Sequence, residues 1–121
     1  MIEINLNTAR FKMTVKGHAN PEESSEYQAI CNSVSALAQG MVYSISKYHK
    51  DEEPLRTFEY RDDPGDLLLR AWPEEWAEIG IRRRFRIYGE GLELLAKSHP
   101  ECVTMIWDGE RILPESEEGH E

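Results

Sequence analysis

The hydrophobic residues change their spacing near residue 30, and this change constrains the fold more than any other feature. Before it, apolar and polar residues alternate in two stretches, 2–6 and 11–15, which is the pattern of half-buried strands. After it, apolar residues recur every three or four positions, as they do on one face of a helix. The members of that stripe are Ile30, Val34, Leu37, Met41, Ile45 and Tyr48. The chain is therefore predicted to begin with two strands, followed by a helix that ends near residue 49.

The second half of the chain predicts a hairpin, a helix and a strand. Stretches 55–60 and 67–72 flank the sequence RDDPGD, a strong turn signal. Pro73 is predicted to open a second helix at its first turn, and glycines within that helix indicate a kink or a close packing contact. A last short strand follows at 103–107. The order β-β-α-β-β-α-β predicts an α+β fold of two layers, a mainly antiparallel sheet with two helices packed on one face.

The length and composition favour one globular domain. A chain of 121 residues can bury a single core, which we place at residues 1–108, and residues 109–121 are expected to form an acidic, disordered tail. No apolar stretch approaches the roughly 20 residues of a membrane span, and the first residues do not resemble a signal peptide. Two cysteines far apart suggest no disulfide framework. These features predict a cytoplasmic protein with no membrane association.

The net charge of −9 restricts the kind of partner. Nucleic-acid binding needs a concentrated positive face, so we expect no nucleic-acid partner. An acidic surface suits a basic ligand or substrate.

His18 and Cys31 are the candidate catalytic residues. A thiolate is the attacking form of cysteine, and a free cysteine titrates near pH 8.5. A nearby imidazole can take the thiol proton and then favour the thiolate as an imidazolium. A histidine at a strand end facing a cysteine early in a helix would allow this chemistry. With only two possible ligands, the same pair does not predict a metal site, and we expect no metal and no cofactor.

The segments Gly17-His18-Ala19 and Ile30 to Leu37 (ICNSVSAL) resemble the ribosomal-processing cysteine protease family, called Prp. Members of that family carry a Gly-His-Ala triplet and a nucleophile within a Cys-Ala-Ala/Gly-Val-Ser segment. The resemblance covers roughly residues 2 to 107. It implies a small cysteine endopeptidase that trims an extension from a protein of the large ribosomal subunit and that forms a homodimer.

The resemblance also implies roles for individual residues. His18 and Cys31 would form the catalytic dyad, and Gly17, Gln28 and Ser35 would support the site or line its pocket. The family usually has an aspartate three residues before the nucleophile, where this chain has Gln28, which can donate a hydrogen bond but carries no charge. Asn32 and Ser33 replace the small pair after the cysteine. These departures leave open a phage structural protein as substrate, and a second interpretation, a catalytically drifted homodimeric binding or regulatory module.

Two helix starts compete in the segment before Cys31. NPEE at 20–23 is a good start, with Asn20 as cap and Pro21 in the first turn. Ser25 and Gln28 have the spacing of a capping box, which would start the helix later. A dyad requires the later start, or else a break between the two starts, because an unbroken helix from Pro21 would hold Cys31 about 15 Å along its axis. We favour the later start, and we expect backbone amides around Cys31 to be the oxyanion donors.

Overall fold

The computed structural model of the protein describes residues 1–17 and 23–114, which form one sheet and two long helices. The six strands are β1 (Ile2–Asn7), β2 (Lys12–Lys16), β3 (Leu55–Asp63), β4 (Asp66–Pro73), β5 (Val103–Trp107) and β6 (Glu110–Arg111). The helices are α1 (Ser25–Glu52) and α2 (Glu78–Ser98), the latter preceded by a 3-10 turn at Glu75–Ala77. Within the described ranges neither helix combines the length and apolar character needed to cross a bilayer.

The strands form a mixed sheet in the order β3-β4-β2-β1-β5-β6. Every neighbouring pair is antiparallel except β1 and β5, which run parallel with Ile2 beside Val103 and Leu6 beside Trp107. The hairpin of β3 and β4 turns at Pro64 and Gly65, where Gly65 has a φ of 73°, as the third position of a type II turn requires. The predicted mainly antiparallel sheet is confirmed.

One face of the sheet carries the core. Alternate residues of each central strand are buried, as the period-two pattern predicted, and both helices cover them. The largest side chains that are almost fully buried are Phe85, Ile2, Leu6, Met13, Met41, Ile45, Leu69, Ile81, Leu92 and Met105. The opposite residues, such as Glu3 and Asn5, are exposed. The two-layer α+β class with two helices on one face is therefore confirmed.

Helix α1 begins at the later of the two predicted starts. Ser24 is its N-cap, with non-helical backbone angles and a side chain that accepts a hydrogen bond from the amide of Tyr27 at 3.1 Å. The cap is Ser24 rather than Ser25, one residue earlier than the capping box predicted. Because Glu23 and Ser24 are not helical, no continuous helix runs from Pro21 into α1. The helix ends at Glu52, three residues beyond the predicted end, where Glu53 adopts a left-handed conformation.

The start of α2 was predicted wrongly. Pro73 is the last residue of β4 and pairs with Leu55, so it belongs to the sheet and not to the first turn of the helix. Glu74 is extended, and the helix proper begins at Glu78 after the 3-10 turn. Proline has no backbone N–H to donate, and it is tolerated at a strand end because no ladder hydrogen bond is lost there.

The glycines of α2 mark close packing rather than an interruption, since the helix is continuous. A Cβ built on Gly89 would lie 2.6 Å from Leu6 Cδ2 and 3.0 Å from the ring of Trp107. The helix therefore approaches β1 and β5 more closely than a larger residue would allow. After β5, Asp108 and Gly109 turn the chain into β6, which lies beyond the predicted domain boundary at 108.

Candidate active site around Cys31

Gly17 closes β2 in a conformation that only glycine adopts readily. Its φ is +95°, and a Cβ at this position would overlap the backbone carbonyl oxygen of Met1. Its amide donates a hydrogen bond to the carbonyl of Gly65, in the β3–β4 turn, at 2.9 Å. The end of β2 is thus fixed between the N-terminus and the hairpin turn, immediately before His18 in the sequence.

Cys31 lies in the second turn of α1, where it is half-buried and packs against the core. It is six residues after Ser25, about 9 Å along the helix axis. The electrostatic effect of a helix N-terminus falls off within the first turn, so it contributes little at this distance. Chemical activation of the thiol would have to come from neighbouring side chains.

Ser35 lies one turn after Cys31 on the same side of α1, and it lines a small cavity together with Gly17. The cavity has a volume of about 60 Å³, room for about two water molecules. Its other lining residues come from β2, from α1 and from the β3–β4 hairpin, and include Asp62, Asp63 and Asp66. The end of β2 and the Ser35 side of α1 therefore meet at one cavity.

Gln28 is occupied by the structure of the helix start. Its side-chain Nε2 donates a hydrogen bond to the carbonyl of Glu23 at 3.0 Å, and its backbone amide donates to the carbonyl of Ser24. The amide side chain therefore stabilises the turn that leads into α1.

The expectation that backbone amides around Cys31 bind an oxyanion is not met by the helix. Residues 25–52 form an unbroken α-helix, in which each amide after the first turn donates to the carbonyl four residues earlier. The amides of Cys31 and Asn32 are thus engaged inside the helix. An oxyanion would need donors from outside this part of α1.

The catalytic pairing itself lies partly outside the described residues. His18, Ala19, Asn20 and Pro21 fall in the undescribed segment 18–22, so the distance from His18 to Cys31 stays a prediction. The described residues bring Gly17 and Ser35 to one cavity and put Cys31 one helical turn away.

Tyr27 is a neighbour of the site that the sequence did not single out. Its ring packs against the core, and its hydroxyl is buried without a hydrogen-bond partner among the described residues. Burial raises the pKa of the Tyr27 phenol, and the negative charges that Glu23, Cys102 and Cys31 can carry raise it further. A tyrosine four residues before the cysteine, one turn away on a helix, was the available signal.

The second cysteine and a surface cluster lie apart from this chemistry. Cys102 is buried with an exposure of 6%, and burial, followed by the charge of Glu101, raises the pKa of its thiol. Within the described residues, Glu26, His99 and Glu101 place ligand atoms within 4.8 Å of one another. Both carboxylates are exposed, and such surface groups are common without a metal ion.

Comparison with known proteins identifies the family. The family model described as cysteine protease Prp matches residues 1–104. No curated protein matches the chain.

Three solved structures share the fold. SMU.848 from Streptococcus mutans is 16% identical with a TM-score of 0.62, covering 88% of this chain and 90% of its own. The essential ribosomal processing protease Prp from S. aureus, in complex with a substrate peptide, is 14% identical with a TM-score of 0.66, covering 88% and 99%. The same protease with a covalently linked product peptide gives 15% identity, a TM-score of 0.64 and the same coverage.

At these identities the structural likeness establishes the fold, and the family match, which spans most of the chain, establishes the relationship. The chain belongs to the Prp family of cysteine proteases.

Proposed function

We propose that this protein is a cysteine endopeptidase in which Cys31 is the nucleophile and His18 the general base. The observation that carries the proposal is the cavity shared by Gly17 and Ser35. Gly17 directly precedes His18 in the sequence, and Ser35 follows Cys31 by one turn on the same side of α1, so the chain neighbours of both proposed catalytic residues line this cavity. The helix start at Ser25 also supports it, because an earlier start would separate them.

The reaction follows from the two groups. His18 accepts the proton of the Cys31 thiol, and the thiolate attacks the carbonyl carbon of the scissile peptide bond. The imidazolium then returns the proton to the leaving amine, which departs and leaves a thioester on Cys31. Water, deprotonated by the same imidazole, hydrolyses the thioester and restores the thiol. Because the helix engages the amides around Cys31, we assign the oxyanion donors to groups outside α1.

The substrate we propose is a basic peptide segment, such as an extension of a large-subunit ribosomal protein or of a phage structural protein. The S. aureus relative has been solved with a substrate peptide. Around the cavity of this chain, Asp62, Asp63 and Asp66 provide three carboxylates. Arg61 lies 3.7 Å from Asp63 and 3.3 Å from Asp66, so one guanidinium offsets the charge of two of the three carboxylates. This local excess of negative charge favours lysine or arginine near the cleaved bond.

Cleavage of host proteins tests the proposed activity. The purified protein would be incubated with large-subunit ribosomal proteins of its own host, and the products followed by intact mass. We expect one protein to lose a terminal segment with the wild type and to stay intact with Cys31→Ser. Cleavage that survives Cys31→Ser would contradict the assignment of the nucleophile.

Thiol alkylation tests the dyad without a substrate. In a Cys102→Ala background, only Cys31 can react. We expect His18→Ala to slow alkylation at pH 6.5 by about tenfold or more, since a free thiol is mostly protonated at that pH. His99→Ala is the matched control and should change the rate little. If His18→Ala has no effect either, the chain is better described as a drifted binding module.

A further inference from the structure

A groove lies between α2 and the β5–β6 hairpin, and its lining includes Thr8, Arg86, Trp107 and Arg111. We call it the α2–β6 groove. Its volume is about 630 Å³, which is within the range of small-molecule sites. Thr8 directly follows β1, whereas Gly17 lies beside the start of that strand. The six residues of β1 span roughly 20 Å, so the groove and the candidate active site lie at opposite ends of the sheet.

The α2–β6 groove gathers positive charge on an acidic protein. The net charge of the chain is −9, yet four of its 14 lysine and arginine residues line this groove, namely Arg82, Arg86, Lys97 and Arg111. Arg82 and Arg86 are one turn apart on α2 and therefore lie on the same side of the helix. The Arg82 guanidinium also lies over the ring of Phe11, 5.0 Å from its centroid, which helps to hold it in place. The groove is thus a local basic surface.

Two of these arginines have no counterion in the part of the chain that the structure describes. There, the side chains of Arg86 and Arg111 form neither an ion pair nor a hydrogen bond. Asp108 also lines the groove, but its carboxylate accepts hydrogen bonds from the amide and the hydroxyl of Thr8 at 2.6 and 2.5 Å. The donors of both guanidinium groups therefore stay available to a bound anion.

The lining of the groove indicates the chemistry of such an anion. A guanidinium binds a carboxylate or a phosphate, and a phosphate group has three acceptor oxygens, so it can bind more than one guanidinium at once. Trp107 is half-buried and offers apolar ring surface to an organic group. Glu93 and Glu110 also line the groove and can accept hydrogen bonds from hydroxyl or amino groups. A nucleotide combines these three kinds of group.

We propose that the α2–β6 groove binds a small phosphorylated ligand, up to the size of a nucleotide, whose phosphate groups contact Arg86 and Arg111. A nucleoside diphosphate and inorganic pyrophosphate share the required chemistry, which is two linked phosphate groups. The proposal does not depend on the proposed proteolytic activity, because Cys31 does not line the groove.

Isothermal titration calorimetry of the full chain at low ionic strength provides the test, with pyrophosphate, ADP and citrate as separate titrants. We expect pyrophosphate and ADP to bind with a Kd below about 1 mM. Citrate carries several negative charges without phosphate, and it should bind at least about tenfold more weakly than pyrophosphate. Tighter binding of ADP than of pyrophosphate would assign its nucleoside to the groove as well, and equal binding would show that the phosphate groups are sufficient. Citrate binding as tightly as pyrophosphate would overturn the phosphate assignment.

Neutral variants of the exposed arginines locate the binding site. Arg86→Gln and Arg111→Gln should each weaken pyrophosphate binding by about tenfold, because each removes a charge-assisted contact. Arg83→Gln is the matched control, since Arg83 is also exposed on α2 but does not line the groove. It makes the same change in net charge and should alter the affinity less than about twofold. Circular dichroism would confirm that every variant is folded.

Two results would overturn the proposal. One is the absence of binding by both pyrophosphate and ADP at concentrations up to about 10 mM. The other is an equal loss of affinity in Arg83→Gln, Arg86→Gln and Arg111→Gln, which would show that the anions respond to the general charge of this surface and not to the groove.

Discussion

Replacing Gly17 with alanine tests how the end of β2 is held. Two contributions should lower the free energy of unfolding of this variant. The positive φ of +95° disfavours any residue with a Cβ by about 1–2 kcal/mol, and the new Cβ overlaps the carbonyl oxygen of Met1. Relieving such an overlap in packed structure typically costs about 1–3 kcal/mol. Since both strands next to this point are tied into the sheet, the backbone cannot move far without losing hydrogen bonds.

Gly109→Ala is the matched control. Gly109 has a comparable φ of +83°, but a Cβ there would meet nothing within 4 Å. Both variants also lose similar chain entropy in the unfolded state, so this effect cancels in the comparison. The difference between the two should therefore isolate the overlap with Met1, at about 1–3 kcal/mol.

The free energy of unfolding would be measured by urea denaturation followed by tryptophan fluorescence. If Gly17→Ala and Gly109→Ala agree within about 0.5 kcal/mol, the close approach of Gly17 to Met1 does not constrain β2, and the reasoning fails. Under conditions where both variants are folded, Gly17→Ala should also reduce peptide cleavage more than Gly109→Ala. This second result depends on the proposed role of His18, which follows Gly17 directly.

Three further outcomes follow from the packing and ionisation of buried groups. Gly89→Ala should destabilise the protein by up to about 2 kcal/mol, measured by differential scanning calorimetry. The overlap with the fully buried Leu6 costs about 1–3 kcal/mol, and the gain in helix propensity offsets roughly 1 kcal/mol of it. Gly91→Ala should be nearly neutral. Tyr27→Phe should leave the stability at pH 7 unchanged or slightly higher, since the hydroxyl has no described partner. Above about pH 10 the wild type should lose stability, because Tyr27 ionises in the unfolded chain while its raised pKa keeps it protonated in the folded protein. Tyr27→Phe should lack this loss. An identical dependence of stability on pH in the two proteins would contradict the reasoning. The Cys102 thiol should react slowly with an alkylating reagent in the native protein at pH 8 and rapidly in urea, because burial both shields the sulfur and raises its pKa. Fast labelling of the native protein would show that Cys102 is accessible to solvent.

The local periodicity of the sequence was enough to predict most of the fold. Alternation in 2–6 and 11–15, and the stripe from Ile30, determine which sides of β1, β2 and α1 are buried. The predictions failed where one local sequence signal was compatible with two different structures. Pro73 suits both a strand end and a helix start, and its pairing with Leu55 decides between them. The two-residue strand β6 is too short to have a period, and the parallel contact of β1 with β5 has no local signature.

The candidate site could be predicted only as a list of residue types. The sequence indicated Gly17, Cys31 and Ser35, but the meeting of Gly17 with Ser35 near the β3–β4 turn depends on tertiary contacts. The pairing of β2 with β4, which the hydrogen bond from Gly17 to Gly65 extends past Lys16, brings the acidic hairpin, with Asp62 and Asp66, to the same cavity. No pattern within either segment predicts that contact.

The position of β1 has a consequence for how the chain emerges during its synthesis. Its neighbour β2 follows within a few residues, whereas β5 is added about a hundred residues later. At translation rates of about 5–20 residues per second, the edge of β1 that later pairs with β5 stays unpaired for roughly 5–20 s. A nascent chain stalled after α2 would present that edge to other nascent chains, and would be prone to associate with them through strand pairing.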